Sequence, residues 1–178
     1  MAGKEVAKVV NRCEDAKETQ HLDLSGCDLT QIPDAVFLLM RSTELQTCDL
    51  SQNLMKRIPS KLPSKFSSLK ELNLATNHLS SLPEELRHLE DLTKLDISHN
   101  HFKELPQVVY RIDSLKELSA EENEILDIDI QRLRALSNIS EVNLQGNPLT
   151  TDTHSQLMEL KHITVLLTPQ DPDLDAVD

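Results

Sequence analysis

The stretch "LKELNLATNHL", residues 69–79, is the clearest copy of a pattern that recurs along the chain. Its first, fourth, sixth and eleventh places are Leu, and its ninth place is Asn77. Six segments fit the pattern, and their starts lie 26, 24, 23, 23 and 24 residues apart. The ninth-place residues are Cys27, Asn53, Asn77, Asn100, Asn123 and Asn147. A period of this length predicts a stack of equivalent units.

Each unit predicts a short strand followed by a sharp turn. The apolar fourth and sixth places alternate with polar neighbours, so they lie on one side of a strand. Strands of successive units would pair in parallel about 4.8 Å apart. After each strand the backbone enters the interior, where its N–H and C=O groups need partners. An Asn amide both donates and accepts hydrogen bonds, so we predict that the six ninth-place residues form a single file, the structural ladder.

These features resemble the leucine-rich repeat family, and the resemblance covers residues 19–149. Several units also carry the second half of the longer repeat form, as in Leu82-Pro83 followed by Leu86 and Leu89. That form is common in intracellular members. The resemblance implies an α/β solenoid, a right-handed leucine-rich repeat superhelix. A curved parallel sheet would form its concave face, with short helical or irregular segments on its convex face.

A solenoid leaves an apolar face open at each end, and these faces need covers. Residues 1–18 predict an N-terminal capping helix, because Val6, Val9, Val10 and Cys13 recur at helical spacing. Residues 19–149 form the six repeats. Residues 150–168 predict a C-terminal cap, with a helical turn around Leu157, Met158 and Leu160 and a partial repeat strand. The acidic tail, residues 169–178, is predicted to be disordered.

Composition and charge restrict the function. The chain has 178 residues and a net charge of −12, from 18 basic and 30 acidic residues, which disfavours nucleic acid and anionic membranes as partners. No catalytic or phosphate-binding motif is present and only three residues are Gly, so we expect neither an enzyme nor a cofactor. The polar start, the lack of a long apolar run and three unpaired cysteines favour the cytoplasm, with the nucleus left open.

The exposed strand face is the predicted partner-binding surface. It carries eight acidic and three basic residues, which favours a protein or peptide partner with a basic patch. Its flat area is only about 300 Å², whereas a stable interface uses about 800 Å² per partner, so adjacent loops would contribute. A monomer is favoured, and the oligomeric state stays open. The predicted contact residues are His21, Asp23, Asp49, Glu71, Asn73, Lys94, Asp96, Glu117, Ser119, Glu121, Glu122, Glu141 and Asn143.

The sequence leaves three alternatives open. The polar fifth-place column of the strands could serve solubility and edge hydrogen bonding instead of binding. His78, His99 and His101 could form a metal-sensing site in a regulatory subunit, or could simply be exposed residues around the ladder. The basic stretch of Lys56, Arg57, Lys61, Lys65 and Lys70 could bind a phosphorylated or acidic ligand, or could be a solvated convex surface.

Overall fold

The structure is a computed structural model and describes residues 3–169. All six predicted repeats lie within this range. The predicted disordered tail, apart from Pro169, lies outside the described residues.

Within the described residues, seven short strands form one parallel sheet in strict chain order, so each inner strand pairs with the one before and the one after it. The predicted α/β solenoid is therefore confirmed. The register is uninterrupted, with Leu72 opposite Cys48 on one side and Leu95 on the other. The strands are β1 His21–Asp23, β2 Thr47–Asp49, β3 Glu71–Asn73, β4 Lys94–Asp96, β5 Glu117–Ser119, β6 Glu141–Asn143 and β7 Thr164–Leu166.

Each strand forms where the repeat alternates polar and apolar residues. The middle residue of β1 to β6 is buried, whereas its neighbours point to the open face. The buried residues form one continuous and mainly aliphatic core. Phe37 and Phe66 add a stacked pair on the side opposite the strands, with ring centroids 5.3 Å apart. The hydrophobic effect thus drives the stacking of units, because no unit buries its apolar residues alone.

The ninth-place side chains occupy equivalent turns. Asn77 is typical: its Oδ1 accepts the N–H of Met55 at 3.1 Å, and its Nδ2 donates to the carbonyl oxygen of Leu50 at 3.0 Å. Both of these partners belong to the preceding unit. Its Nδ2 also donates to Leu74 in its own unit. Asn53, Asn100, Asn123 and Asn147 repeat this arrangement, so each Asn binds two successive turns together.

The first ladder position is different because the N-terminal helix, and not another repeat, comes before its unit within residues 3–169. The side chain of Cys27 accepts a weak hydrogen bond from Arg12 at 3.5 Å. Arg12 also donates to the carbonyl oxygen of Ser25 at 2.7 Å, and Lys8 donates to that of Gly26 at 2.8 Å. The N-terminal helix thus supplies to the first turn the donors that an Asn supplies elsewhere.

That helix, α1, runs from Gly3 to Thr19 and packs on β1. Its buried side includes Val9, Cys13 and Ala16. Two of the residues that we predicted on this side are not buried, since Val6 is 49% and Val10 is 37% exposed. Val10 follows Val9 and is therefore rotated by about 100° away from the buried side. Val6 lies one turn before Val9, towards the start of the helix.

The convex side consists of short helices and irregular segments. These are α2 Asp34–Leu39, α3 Leu62–Lys65, two 3-10 helices at Glu84–His88 and Val109–Arg111, and α4 Ile130–Ala135. At the C-terminal end, α5 Thr151–Met158 precedes β7. Helix α5 extends beyond the single turn predicted around Leu157, and Thr150 caps its start by accepting from the N–H of Thr153. Met158, which we expected in the cap, is 68% exposed.

One regular feature of the turns was not predicted. The residue before each ladder position has a positive φ, between 51° and 68°. Two of the six are glycines, but the others carry side chains in a conformation that costs free energy. Thr76, with a φ of 55°, is the β-branched member of the set. The six residues are Gly26, Gln52, Thr76, His99, Glu122 and Gly146.

Candidate partner-binding face

The sheet arranges most of the predicted contact residues in two parallel columns. Eleven of the thirteen lie on strands, and Glu121 and Glu122 lie in the turn after β5. The third-place column is exposed for most of its length and consists of His21, Thr47, Glu71, Lys94, Glu117, Glu141 and Thr164. The fifth-place column is mostly half-buried and consists of Asp23, Asp49, Asn73, Asp96, Ser119, Asn143 and Leu166.

Lys94 is the cationic member of the third-place column and lies among carboxylates. Its Nζ is 2.8 Å from Oε2 of Glu117, the residue opposite it on β5. That hydrogen bond and the charge of Glu117 raise the pKa of Lys94 above its ordinary value, and Glu71 and Glu141 act in the same direction. Glu71 and Glu141 themselves make no hydrogen bond or ion pair through their side chains within residues 3–169.

The fifth-place column has a structural role. Asp49 Oδ1 accepts the N–H of Ser51 at 2.8 Å, which closes a turn at the end of β2. Its other oxygen accepts from Asn73 at 3.2 Å. Asp23, Asn73, Asp96 and Asn143 each accept the N–H two residues further on in the same way. Much of the hydrogen-bonding capacity of this column is therefore committed inside the protein.

Asp23 illustrates this commitment. Burial opposes the ionisation of its carboxyl group. Hydrogen bonds from the hydroxyl and N–H of Ser25, with the charges of Arg12 and Lys8, nevertheless hold the pKa of Asp23 below its ordinary value. Nη1 of Arg12 lies 3.2 Å from Oδ1 of Asp23, the oxygen to which Ser25 also donates. The carboxylate is thus a fixed part of the first turn.

The face contains two shallow depressions of about 200 Å³ each, and Lys94 and Asp96 line both. Glu71 lines one, and Glu117 and Glu141 line the other. Each depression is large enough for a single side chain rather than for a small-molecule substrate.

Glu121 and Glu122, the predicted contacts in the turn after β5, differ in their surroundings. Glu121 accepts a hydrogen bond from the side-chain amide of Asn143. Glu122 has a positive φ, and its carboxylate lies over Gly146, where a Cβ atom would collide with it. We predicted both as contacts of the partner; Glu122 is exposed, whereas Glu121 is half-buried.

The histidine cluster is only partly assembled. The rings of His78 and His101 stack in parallel, 5.7 Å apart at their centroids and inclined by 4°. Nδ1 of His101 is 3.3 Å from Oε1 of Glu124. His99 occupies the positive-φ position of its unit. No group of three or more His, Cys, Asp or Glu side chains within residues 3–169 could hold a metal ion.

The three cysteines are buried free thiols. Burial raises the pKa of Cys48, and so do the nearby Asp49, Cys13 and Asp23. Burial, followed by the charge of Glu14, also raises the pKa of Cys13. A nucleophilic or metal-binding cysteine needs the opposite shift and an accessible sulfur, so Cys13 and Cys48 are packing residues.

A repeat of 23 to 26 residues, an all-parallel sheet in chain order and a ladder of ninth-place amides define a leucine-rich repeat solenoid. A family model described as "Leucine-rich repeat region" matches residues 22–175. The chain belongs to the leucine-rich repeat family. Proteins of this family are generally non-catalytic and mediate interactions between proteins. In the described residues, no helix is both long and apolar enough to cross a membrane.

Among its relatives, the chain is 39% identical to mouse "Leucine-rich repeat-containing protein 20" over 173 residues, which is 95% of this chain and 94% of the relative. It is 33% identical to the human protein of the same name over 94 residues, or 51% of each chain. The sequence of residues 3–9, 121–125 and 147–149 resembles the protein of this name, and the comparison confirms that resemblance. The leucine-rich repeat domain of the type III effector XopL shares the fold, with a TM-score of 0.72 at 22% identity over 93% of this chain and 58% of that one.

Proposed function

We propose that this chain is a noncatalytic interaction module of the cytoplasm that binds a basic segment of a partner protein. Contact would involve the concave face and the turns that follow the strands. One observation carries the proposal: Glu71 and Glu141 flank the paired Lys94 and Glu117 in one exposed column without a cation of their own. The cytoplasmic location is supported by three buried cysteines that form no disulfide.

The electrostatics of the column favour a cationic partner. Glu141 pairs in register with Glu117, and like charges placed opposite each other on neighbouring strands are destabilising. A Lys or Arg side chain of a partner, entering the depression beside them, would relieve that repulsion. One exposed ion pair contributes only about 0.2–1 kcal/mol. A stable complex therefore needs several such contacts and the surface of the adjoining turns.

Charge reversal at the two free carboxylates tests the proposal. Glu71→Lys together with Glu141→Lys removes them without touching the fifth-place column. Glu85→Lys together with Glu90→Lys makes the same change in net charge at exposed positions outside the strands. Proximity labelling in cells with the wild-type chain and both double variants would identify the partners.

We expect the concave-face variant to lose the labelling of at least one protein with a basic segment, whereas the control variant keeps it. Calorimetry with that purified partner should then show binding weakened by about tenfold. Equal labelling by all three chains would contradict the assignment of the face. Equal loss in both double variants would point to net charge alone. No side-chain arrangement within residues 3–169 favours the metal-sensing alternative.

A further inference from the structure

A second surface of the molecule has the opposite charge. A groove of about 840 Å³ runs beside the loops that follow the ladder in the first three units. We call it the basic groove, and it is defined by Ile32, Leu54, Lys56, Arg57, Ile58 and Lys61. It lies outside the strands that form the concave face, so a ligand bound there would be independent of the basic partner proposed for that face.

The cations of this groove differ in their availability. Lys61 pairs with Asp34, and its Nζ lies 4.6 Å from the centroid of the Phe37 ring. Lys56 and Arg57 are exposed, and neither makes an ion pair or a side-chain hydrogen bond within residues 3–169. Asp34 is the acidic residue of the lining. The basic groove therefore presents two uncompensated positive charges in a chain whose net charge is −12.

The repeat provides an internal comparison. Lys56 and Arg57 stand three and four residues after the ladder Asn53, and the same places in the fourth unit are Lys103 and Glu104. Lys103 and Glu104 line a groove of about 340 Å³ between the fourth and fifth units, and Asp127 and Asp129 line it as well. The first, third, fifth and sixth units have Thr-Gln, Ser-Ser, Leu-Asp and Thr-Thr at these places. The fold thus does not require paired cations here, and they distinguish one unit.

The groove also has an apolar component. Ile32 and Ile58 lie at its base, each 5% exposed. Leu54 stands at its edge and is 45% exposed, which makes it one of few large apolar side chains that the described surface leaves in water. A ligand that carried only negative charge would pair with the cations and leave Leu54 uncovered. The lining suits a ligand that combines carboxylates with an apolar side chain.

We propose that the basic groove binds an acidic peptide segment of another protein, with at least one large apolar residue among its carboxylates. Two carboxylates pair with Lys56 and Arg57, and the apolar side chain packs on Leu54 and the base formed by Ile32 and Ile58. The charges steer the peptide and set its position. The apolar contact distinguishes it from a phosphate group or a membrane surface.

Fluorescence anisotropy with a labelled probe tests this proposal. The probe is the peptide Gly-Asp-Glu-Asp-Leu-Glu-Asp-Glu-Gly, and a second probe replaces its Leu by Gly. The chain variants are Lys56→Glu with Arg57→Glu, Leu54→Ser, and the control Lys103→Glu, which reverses one charge at the place of Lys56 in another unit. Circular dichroism verifies that each variant is folded.

We expect saturable binding of the Leu probe at low salt, weakened at least about tenfold by the double reversal and about threefold by Leu54→Ser. Lys103→Glu should change the affinity by less than about twofold. Equal binding of the Leu and Gly probes would overturn the proposal in favour of a simple anion site. Binding to vesicles rich in phosphatidylserine, abolished by the double reversal, without binding of the Leu probe would overturn it in favour of a membrane surface.

Residues 170–178 of this chain are acidic and include Leu174 and Val177, so they are a rival occupant. A chain ending at residue 169 tests this directly. If the shortened chain binds the Leu probe as the full chain does, the groove is open to another protein, as proposed. If shortening raises the affinity more than about tenfold, the occupant is the chain's own terminal segment and the proposal is wrong.

Discussion

Replacing Asn100 by Ala tests whether the ladder stabilises the solenoid. Asn100 is 5% exposed, and its Oδ1 accepts the N–H of Leu79 at 2.9 Å. That N–H makes no other hydrogen bond within residues 3–169. The Nδ2 of Asn100 donates to three carbonyl oxygens, but each of these has another donor. Without Asn100, the carbonyl oxygen of Leu74 still accepts from Asn77, that of Ile97 from Asn123, and that of Ser98 from the N–H of Thr76.

The substitution therefore leaves one buried donor unsatisfied. An unsatisfied buried group costs about 1–3 kcal/mol, and the weakened carbonyl contacts and the lost volume add to it. We expect the free energy of unfolding to fall by about 2–4 kcal/mol, a large part of the 5–15 kcal/mol typical of a domain. Asn147→Ala is the matched control. Asn147 makes the same kind of contacts but is half-buried, so water can replace them and the loss should be about 1 kcal/mol.

Urea unfolding followed by far-ultraviolet circular dichroism measures both losses, and an unchanged m-value would show that the two states remain comparable. Asn100→Asp adds a sharper test, because its carboxylate can accept from Leu79 but cannot donate to the carbonyls. Its folded pKa should be raised, so the variant should lose stability as pH rises above about 4. A loss below about 1 kcal/mol for Asn100→Ala, or an equal loss for Asn147→Ala, would refute the reasoning.

Two single side chains give the remaining predictions. Burial raises the pKa of Tyr110 to about 12, so phenolate absorbance should titrate near that value, since this is the one tyrosine of the chain. Because the folded pKa is raised, the stability that Tyr110 contributes should be complete below about pH 10 and lost towards pH 12. Tyr110→Phe should remove this pH dependence. Titration of the phenol near pH 10 would contradict the prediction. Thr76→Gly relieves a β-branched residue at a φ of 55° and should raise the free energy of unfolding by about 0.5–1 kcal/mol. An unchanged or lower urea midpoint would contradict the strain.

The sequence predicts most of the fold, because its signals repeat. The apolar fourth and sixth places give each strand its buried side, and a single Asn such as Asn77 would be weak evidence without its five equivalents. The ends are harder to predict, because each occurs once. Val6 satisfies the helical spacing of α1 and is nevertheless 49% exposed. Spacing identifies the residues that share a side of a helix, whereas burial also depends on how far the neighbouring unit extends.

The sequence predicts which residues lie on the strands of the candidate face, but not which of them are bonded within the protein. Counting acidic residues treats Asp49 and Glu71 alike, whereas the oxygens of Asp49 are bonded within the protein and those of Glu71 make no hydrogen bond within residues 3–169. A signal for this was present, because the fifth place is Asp or Asn in five of six units and an Asx residue there can close a turn. The positive-φ position also left a trace, with glycine at Gly26 and Gly146. Which of the two surfaces, the concave face or the basic groove, a partner binds depends on the charge of that partner.

The ladder bonds all point the same way along the stack. Each Asn accepts an N–H from the unit before it, so a turn is completed only when its successor is in place. Lengthening of the solenoid by gene duplication is therefore simplest in the interior. A repeat inserted there donates its turn N–H to the Asn of the following unit, and its own Asn accepts the N–H of the preceding unit. A copy appended after the sixth unit would have to replace the contact in which Thr168 accepts the N–H of Gly146 at 2.7 Å. The bonding along the stack is thus directional, and at the last ladder turn Thr168 takes the place that a further unit would occupy.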